Sequence, residues 1–179
     1  MKTTLTSIMS QLAFVSLLLI IGFTPISATV QAQVNISDAS LVRAVQEAAQ
    51  YGIDYLKAKV SINGLQLSAE IPTTRELMAK GLAVKNELRE DESMLYVFEE
   101  SLRHSFWMKD MRFPIDIMWV DTNGRIVHIE ENLEPCPLAP ICPSYAPNTD
   151  SQYVLEIVSG FAQRHNIGLG TNIKVDLMG

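Results

Sequence analysis

The chain has 179 residues and carries 20 Asp and Glu against 14 Lys and Arg, a formal charge of −6. Its cations are scattered rather than gathered into a stripe, and an acidic chain of that kind cannot neutralise a phosphate backbone, which excludes nucleic acid as an expected partner. The length suits one domain with a real core.

The N-terminus reads as an export signal. Lys2 gives a small positive charge, Leu12 to Phe23 form an apolar run broken only by Ser16 and Gly22, and Pro25 stops any helix. Val30-Gln31-Ala32 then offers small residues before a cut at Gln33. The run falls short of the ~20 residues a spanning helix needs. Residues 1–32 are therefore expected to be a cleaved signal peptide, with the protein secreted or held in the cell envelope. The alternative is an uncleaved anchor, and only then is the membrane a partner.

Residues 33–56 form an approach segment. Ser37 or Asp38 is placed to cap a short helix with apolar positions at Leu41, Val45, Ala48 and Ala49, ending near Gly52. Asn35-Ile36-Ser37 is a glycosylation sequon, usable where the host has that chemistry.

Residues 57–179 read as the β domain. Lys57–Ile62 and Leu65–Ile71 alternate across Asn63-Gly64, the strongest short hairpin signal. Thr73 and Glu76 have capping-box spacing, so a short helix is expected to carry Leu77, Met78 and Leu82 toward a core and to stop near Gly81. Met94–Phe98 and Ser105–Met108 follow as strands. Pro114–Val120 and Arg125–Leu133 flank a second turn at residues 121–124. Tyr153–Val158 is a strand, Gly160–Asn166 a short helix capped by Ser159, and Ile173–Leu177 a closing strand. About eight short strands with two small helices predict a mainly β (α+β) domain, a sandwich or a partly closed barrel. No long helix alternates with the strands, and Gly168-Leu169-Gly170 follows a helix, so a dinucleotide-binding fold is not expected.

The two cysteines, Cys136 and Cys142, lie in a stretch where five of the eight prolines fall between 135 and 147. Outside the cytosol the default for such a pair is a disulfide, here closing a small ring and stabilising by about 2–3 kcal/mol, less because proline already stiffens the chain. Neither the redox Cys-x-x-Cys nor a zinc-pair spacing is present, so no metal or cofactor is expected.

Residues 105–116 gather two aromatics beside Phe113, two methionines, Lys109 and two aspartates just ahead of the second hairpin. Alternation puts Phe106 and Met108 on one face and Trp107 on the other, so one of those faces is free to line a groove with Lys109. If Asn123-Gly124 is a two-residue turn, Val120 pairs with Val127, Met118 with Ile129, Trp119 with His128 and Asp116 with Glu131. Two opposed carboxylates call for a cation between them, and Lys109 and Arg112 are at hand. A four-residue loop would shift the register and dissolve that pair. The residues expected to form a ligand site are Trp107, Lys109, Asp116, Glu131 and Tyr145, and no catalytic set is recognised. His104 beside Ser105 cannot act as a base–nucleophile pair, because adjacent strand residues point to opposite faces.

Four blocks carry a family resemblance. They are Glu70 through Leu82, Phe106-Trp107-Met108-Lys109 with Pro114-Ile115-Asp116, the Cys136 to Cys142-Pro143-Ser144-Tyr145 loop, and Tyr153-Val154-Leu155-Glu156 followed by Gly160. From about Lys57 to Leu177 the chain resembles the domain of unknown function 192 family. That resemblance implies a mainly β domain, often exported, with no established activity or cofactor. The chain departs from the family pattern at Ala83 and Lys85, where the family usually has Met and Arg, and at Asp110-Met111, where it usually has Asn-Thr. The expected function is an exported accessory or ligand-binding domain whose partner is a small molecule or a cell-envelope component. Two alternatives are a hydrolase-like enzyme using Asp116 and Glu131 or His104, and a cell-surface interaction module.

Overall fold

The computed structural model describes residues 39–136 and 141–178. The expected signal peptide, the Asn35 sequon and the Ser37 or Asp38 cap lie outside those residues.

Helix α1 (Ala39–Gln50) buries Leu41, Val45 and Ala48, the i, i+4, i+7 stripe of one face. It ends where Gly52 turns left-handed and Ile53 N–H returns to the Ala48 carbonyl at 2.9 Å. Strands β1 (Tyr55–Ile62) and β2 (Leu65–Pro72) pair antiparallel in unbroken register from Tyr55↔Pro72 to Ile62↔Leu65. Their turn is the expected one. Asn63 and Gly64 both have positive φ, 46° and 80°, as a type I′ turn requires.

Helix α2 (Arg75–Lys80) and a 3-10 turn (Gly81–Val84) lead into β3 (Glu92–Leu102), which runs parallel to β2. The remaining elements are β4 (Phe106–Trp107), β5 (Ile115–Val120), β6 (Ile126–Leu133), β7 (Ser144–Tyr145), β8 (Ser151–Val158), α3 (Phe161–Arg164) and β9 (Ile173–Leu177). Seven strands form one sheet in the order β6-β5-β8-β3-β2-β1-β9, and β4 pairs with β7 in a second, two-stranded sheet. The edges of the large sheet meet at one corner. Arg125 bridges Asn172, and Ile126 exchanges hydrogen bonds with Thr171 and Gly170 at 2.9 and 2.8 Å. The ladder goes no further, so the sheet curls without closing into a barrel.

Alternation along the central strands divides the apolar residues into two cores. One face carries Leu95 and Val97 of β3, Met118 and Val120 of β5, and Leu155 and Ile157 of β8, covered by α1, α3 and the inner residues of β1, β2 and β9. The other face carries Met94 and Tyr96, Ile117 and Trp119, and Val154. It is covered by Leu82, Leu88, Met108, Met111 and Leu133. Strands β5 and β8 are thus buried on both sides, which explains their almost unbroken apolar sequence.

Three local expectations are corrected. The cap of α2 is Thr74, whose hydroxyl accepts from Leu77 N–H at 3.3 Å. Thr73 turns its hydroxyl back to the carbonyls of Ile53 and Asp54, and Glu76 pairs with Lys80, so the Thr73–Glu76 box does not form. Ser159 does not cap α3, because its hydroxyl donates to Asn132 Oδ1. The second turn is longer than two residues. Asp121 accepts from the N–H groups of both Asn123 and Arg125, and Val120 pairs with Ile126 rather than Val127. A bulge then restores the expected Trp119↔His128 and Met118↔Ile129 pairs.

Candidate functional site

A second irregularity in the β5–β6 ladder decides the fate of Asp116. Between Ile117↔Glu130 and Ile115↔Leu133, two residues of β6, Glu131 and Asn132, face the single residue Asp116. Asn132 adopts φ 54°, and its N–H donates to Asp116 Oδ1 at 2.8 Å. The same carboxylate accepts from Gly160 N–H and Ala162 N–H, both at 2.9 Å. Asp116 is fully buried and caps the first turn of α3 from a neighbouring strand. The expected Asp116–Glu131 pair is absent, since the bulge leaves Glu131 exposed. A carboxylate holding three backbone donors is a structural anchor.

The cavity lies on the opposite face of the sheet. A cleft of about 510 Å³ opens between α2 with its 3-10 turn and the segment that runs from the end of β3 through β4. Its walls are Met78, Leu82, Phe98, Phe106 and Met111. The rings of Tyr96, Phe98 and Trp119 all meet Phe106 edge-on, with centroids 4.9 to 6.4 Å apart, so the aromatic wall is rigid. Trp119 donates its indole N–H to the His104 carbonyl at 2.7 Å, which ties down the loop carrying Arg103 and His104.

The floor holds two polar groups. Glu156 on β8 is 4% exposed, and its Oε2 accepts from the hydroxyl of Tyr96 on β3 at 2.9 Å. Burial pushes the Glu156 carboxyl up to about 7, although the Tyr96 hydrogen bond pulls the other way. Burial, followed by the charge of Glu156, pushes the Tyr96 hydroxyl well above its ordinary value. Gly81 shapes this floor. It has φ 48°, and a Cβ there would lie 2.5 Å from the Tyr96 hydroxyl oxygen. No other residue allows both that backbone and that approach.

The rim supplies the charge. Lys80, Arg103 and Lys109 all line the cleft, and the Lys109 ammonium stands 5.4 Å from the centroid of the Trp107 ring. Asp110, next in sequence, sits at φ 59°, a left-handed position that Asn occupies more readily. Of the other departures, Ala83 and Met111 line the cleft, and Lys85 pairs with Glu70 at 3.0 Å outside it.

Of the five expected site residues, Trp107 and Lys109 meet at the cleft. Tyr145 stands behind the wall, paired with Phe106 across the β4–β7 ladder. Asp116 belongs to the other face, and Glu131 is on the edge strand. The cysteines form the expected disulfide, with Cα atoms 5.8 Å apart, and Cys136 N–H bonds the Met108 carbonyl at 2.9 Å. The crosslink thereby seats the strand that carries Trp107. His104 stacks on Phe98 at 3.6 Å, and its Nε2 meets the Glu100 carbonyl at 3.0 Å, so it is held as part of the wall. Glu156 and Tyr96 were not expected. The signal available was a single carboxylate inside the otherwise apolar run Tyr153–Val158. Among the described residues, no three His, Cys, Asp or Glu side chains converge as metal ligands.

A second hollow of about 570 Å³ lies between α1, α2 and the far end of β3. It shares Met78, Phe98, Leu102 and His104 with the first, and its charged lining residues Arg75, Glu99 and Glu100 are exposed.

Comparison with known proteins agrees with this architecture. A crystal structure of a protein of unknown function from Novosphingobium aromaticivorans superposes with a TM-score of 0.58 at 26% identity, covering 66% of this chain and 84% of that one. A Sinorhizobium meliloti protein, provisionally described as a transcription regulator, superposes at 0.59 with 22% identity, covering 68% and 93%, and shares the fold. No curated protein matches. Residues 58–175 match the family model DUF192, described as "Uncharacterized ACR", and the chain belongs to that family of unknown function.

Proposed function

We propose that this protein is a small-molecule-binding domain working outside the cytoplasm, and that the cleft floored by Glu156 and Tyr96 holds its ligand without transforming it. The observation that carries the reading is the composition of that cleft. Its volume of about 510 Å³ falls in the range of ligand sites, its walls are aromatic and aliphatic, and two hydrogen-bonding groups converge on its floor. Acid–base work with two carboxyl groups would need a second carboxylate beside Glu156. The nearest buried one, Asp116, faces the other core. The imidazole of His104 is committed to the Glu100 carbonyl and to stacking, so it is not poised as the base of a nucleophile.

Thermal-shift screening of the purified protein against sugars, small organic acids and cell-envelope fragments tests the reading. At least one class should raise the melting temperature of the wild type. Ala79→Trp, at an exposed α2 position on the cleft wall, should abolish the shift while leaving the unliganded protein stable. Stabilisation that survives this substitution would place the ligand elsewhere. Export is tested separately. Secreted protein should begin at Gln33, and recovery of chains that all retain residues 1–32 would leave the anchored form.

One observation favours a second reading. A carboxyl that titrates near 7 inside a cleft has the properties of a general acid or base. If a ligand found by screening is turned over, Glu156→Gln should stop turnover while keeping binding. Turnover unchanged in that variant would remove Glu156 from the chemistry.

A further inference from the structure

We propose that the ligand of this cleft is an amphipathic organic anion, with an apolar or aromatic body against Phe98, Phe106 and Leu82 and a carboxylate, sulfonate or phosphate head held at the mouth by Lys80, Arg103 and Lys109. The inference rests on the reading of the cleft as a binding site and adds the chemical class of the occupant.

The chain as a whole is acidic, at −6, yet three cations line this cleft, and its one carboxyl, Glu156, lies buried on the floor against the Tyr96 hydroxyl. The cations come from three separate places, α2, the loop after β3 and the residue after Met108. Their convergence at one mouth therefore reflects the fold and not a local run of basic sequence. Each has a weak present partner. Lys80 pairs with Glu76 at 2.7 Å within an exposed helix turn, Arg103 lies 3.8 Å from Asp150, and Lys109 lies 4.0 Å from Asp110. Exposed pairs of this kind are easily exchanged for a bound anion. The apolar walls behind the cations lower the local dielectric and strengthen their field in the cleft. Cation–π contact with Trp107 keeps the Lys109 ammonium over the mouth while no anion is there.

The same inventory disfavours other ligand classes. A cationic ligand would have to displace Lys80, Arg103 and Lys109 from Glu76, Asp150 and Asp110 to reach those carboxylates. A neutral polyol would leave the three cations without a counter-charge and the surfaces of Met78, Leu82, Phe98, Phe106 and Met111 without an apolar partner. An anion with an apolar body matches both the rim and the walls.

The test uses two dyes that share one aromatic body, 1-anilinonaphthalene-8-sulfonate and its neutral counterpart N-phenyl-1-naphthylamine, in fluorescence titrations of the purified protein. The sulfonate should bind about tenfold more tightly at low ionic strength, as attraction to three rim cations predicts. That preference should shrink as salt is raised. Combining Lys80→Ala, Arg103→Ala and Lys109→Ala should erase the preference, the sulfonate losing far more affinity than the neutral dye, and Lys109→Ala alone should reduce it in part. Equal affinity for the two dyes, or a preference that survives the triple substitution, would overturn the anionic class while the cleft reading stands. Binding of neither dye would overturn the apolar body. Dye binding unaffected by Ala79→Trp would instead overturn the cleft reading itself.

Discussion

Asp116 and Glu156 stand on adjacent strands, one residue out of register with each other, and point to opposite faces of the same sheet. Both are buried acids in an apolar setting. Asp116 has three backbone N–H donors around it, contributed by a bulge in β6 and by the first turn of α3. Glu156 has one phenol and an open cleft. A carboxylate that is fully supplied with donors becomes part of the frame, and one left undersupplied beside a cavity keeps its capacity for a ligand or a proton. Burial alone does not separate the two cases; the count of donors does.

The contrast predicts its own tests. Asp116→Ala strands three backbone N–H groups and should cost about 3–5 kcal/mol in denaturant unfolding. Asp116→Asn, which still offers one acceptor oxygen, should cost less. An Asp116→Ala loss under about 1 kcal/mol would deny Asp116 its anchoring role.

Glu156→Gln should show the opposite behaviour. Its carboxyl rises from 4.5 in the unfolded chain to about 7 in the fold, so between those values the folded state holds the extra proton. Stability from this group is complete below about 4.5, declines as pH rises toward 7, and stays lost above it, a span of about 3 kcal/mol. The Gln variant should remove that decline and be the more stable protein at pH 8. Parallel pH profiles of the two proteins would count against the raised carboxyl.

Gly81→Ala forces a left-handed residue toward the Tyr96 hydroxyl and should cost about 1–3 kcal/mol, with ligand binding weakened as the floor shifts. Tyr96→Phe is the smallest perturbation. It removes one hydrogen bond, about 1 kcal/mol, and because that bond lowers the Glu156 value, the pH window in which stability is lost should move upward. A downward move would mean that Glu156 is held by something else.

Much of the frame was legible in the sequence because its signals are local. Asn63-Gly64 adopts the two positive φ values that its composition promises, and the alternation of β1 and β2 follows from it. The heptad-like spacing of Leu41, Val45 and Ala48 gave α1 its buried face. Trp107 and Lys109 came to the cleft because they flank Met108, whose side chain is buried on the other side. What escaped was set by long-range geometry. Whether Thr73 or Thr74 caps α2 depends on the Ile53 and Asp54 carbonyls twenty residues away. Asp116 was expected to face Glu131 because a period of two assumes a regular ladder, and a bulge at Glu131–Asn132 breaks it. Glu156 was visible as one charge in an apolar strand. Its partner Tyr96 lies on a different strand, and only the three-dimensional pairing of β3 with β8 joins them.

The chain has two tryptophans, and the fold places them in contrasting surroundings. Trp119 is sealed in the core with its N–H bonded, and Trp107 is 56% exposed at the mouth of the cleft. One indole is therefore an internal emission standard, and the other is open to aqueous quenchers until something occupies the mouth. Acrylamide accessibility of the protein's own fluorescence would then report occupancy without any label.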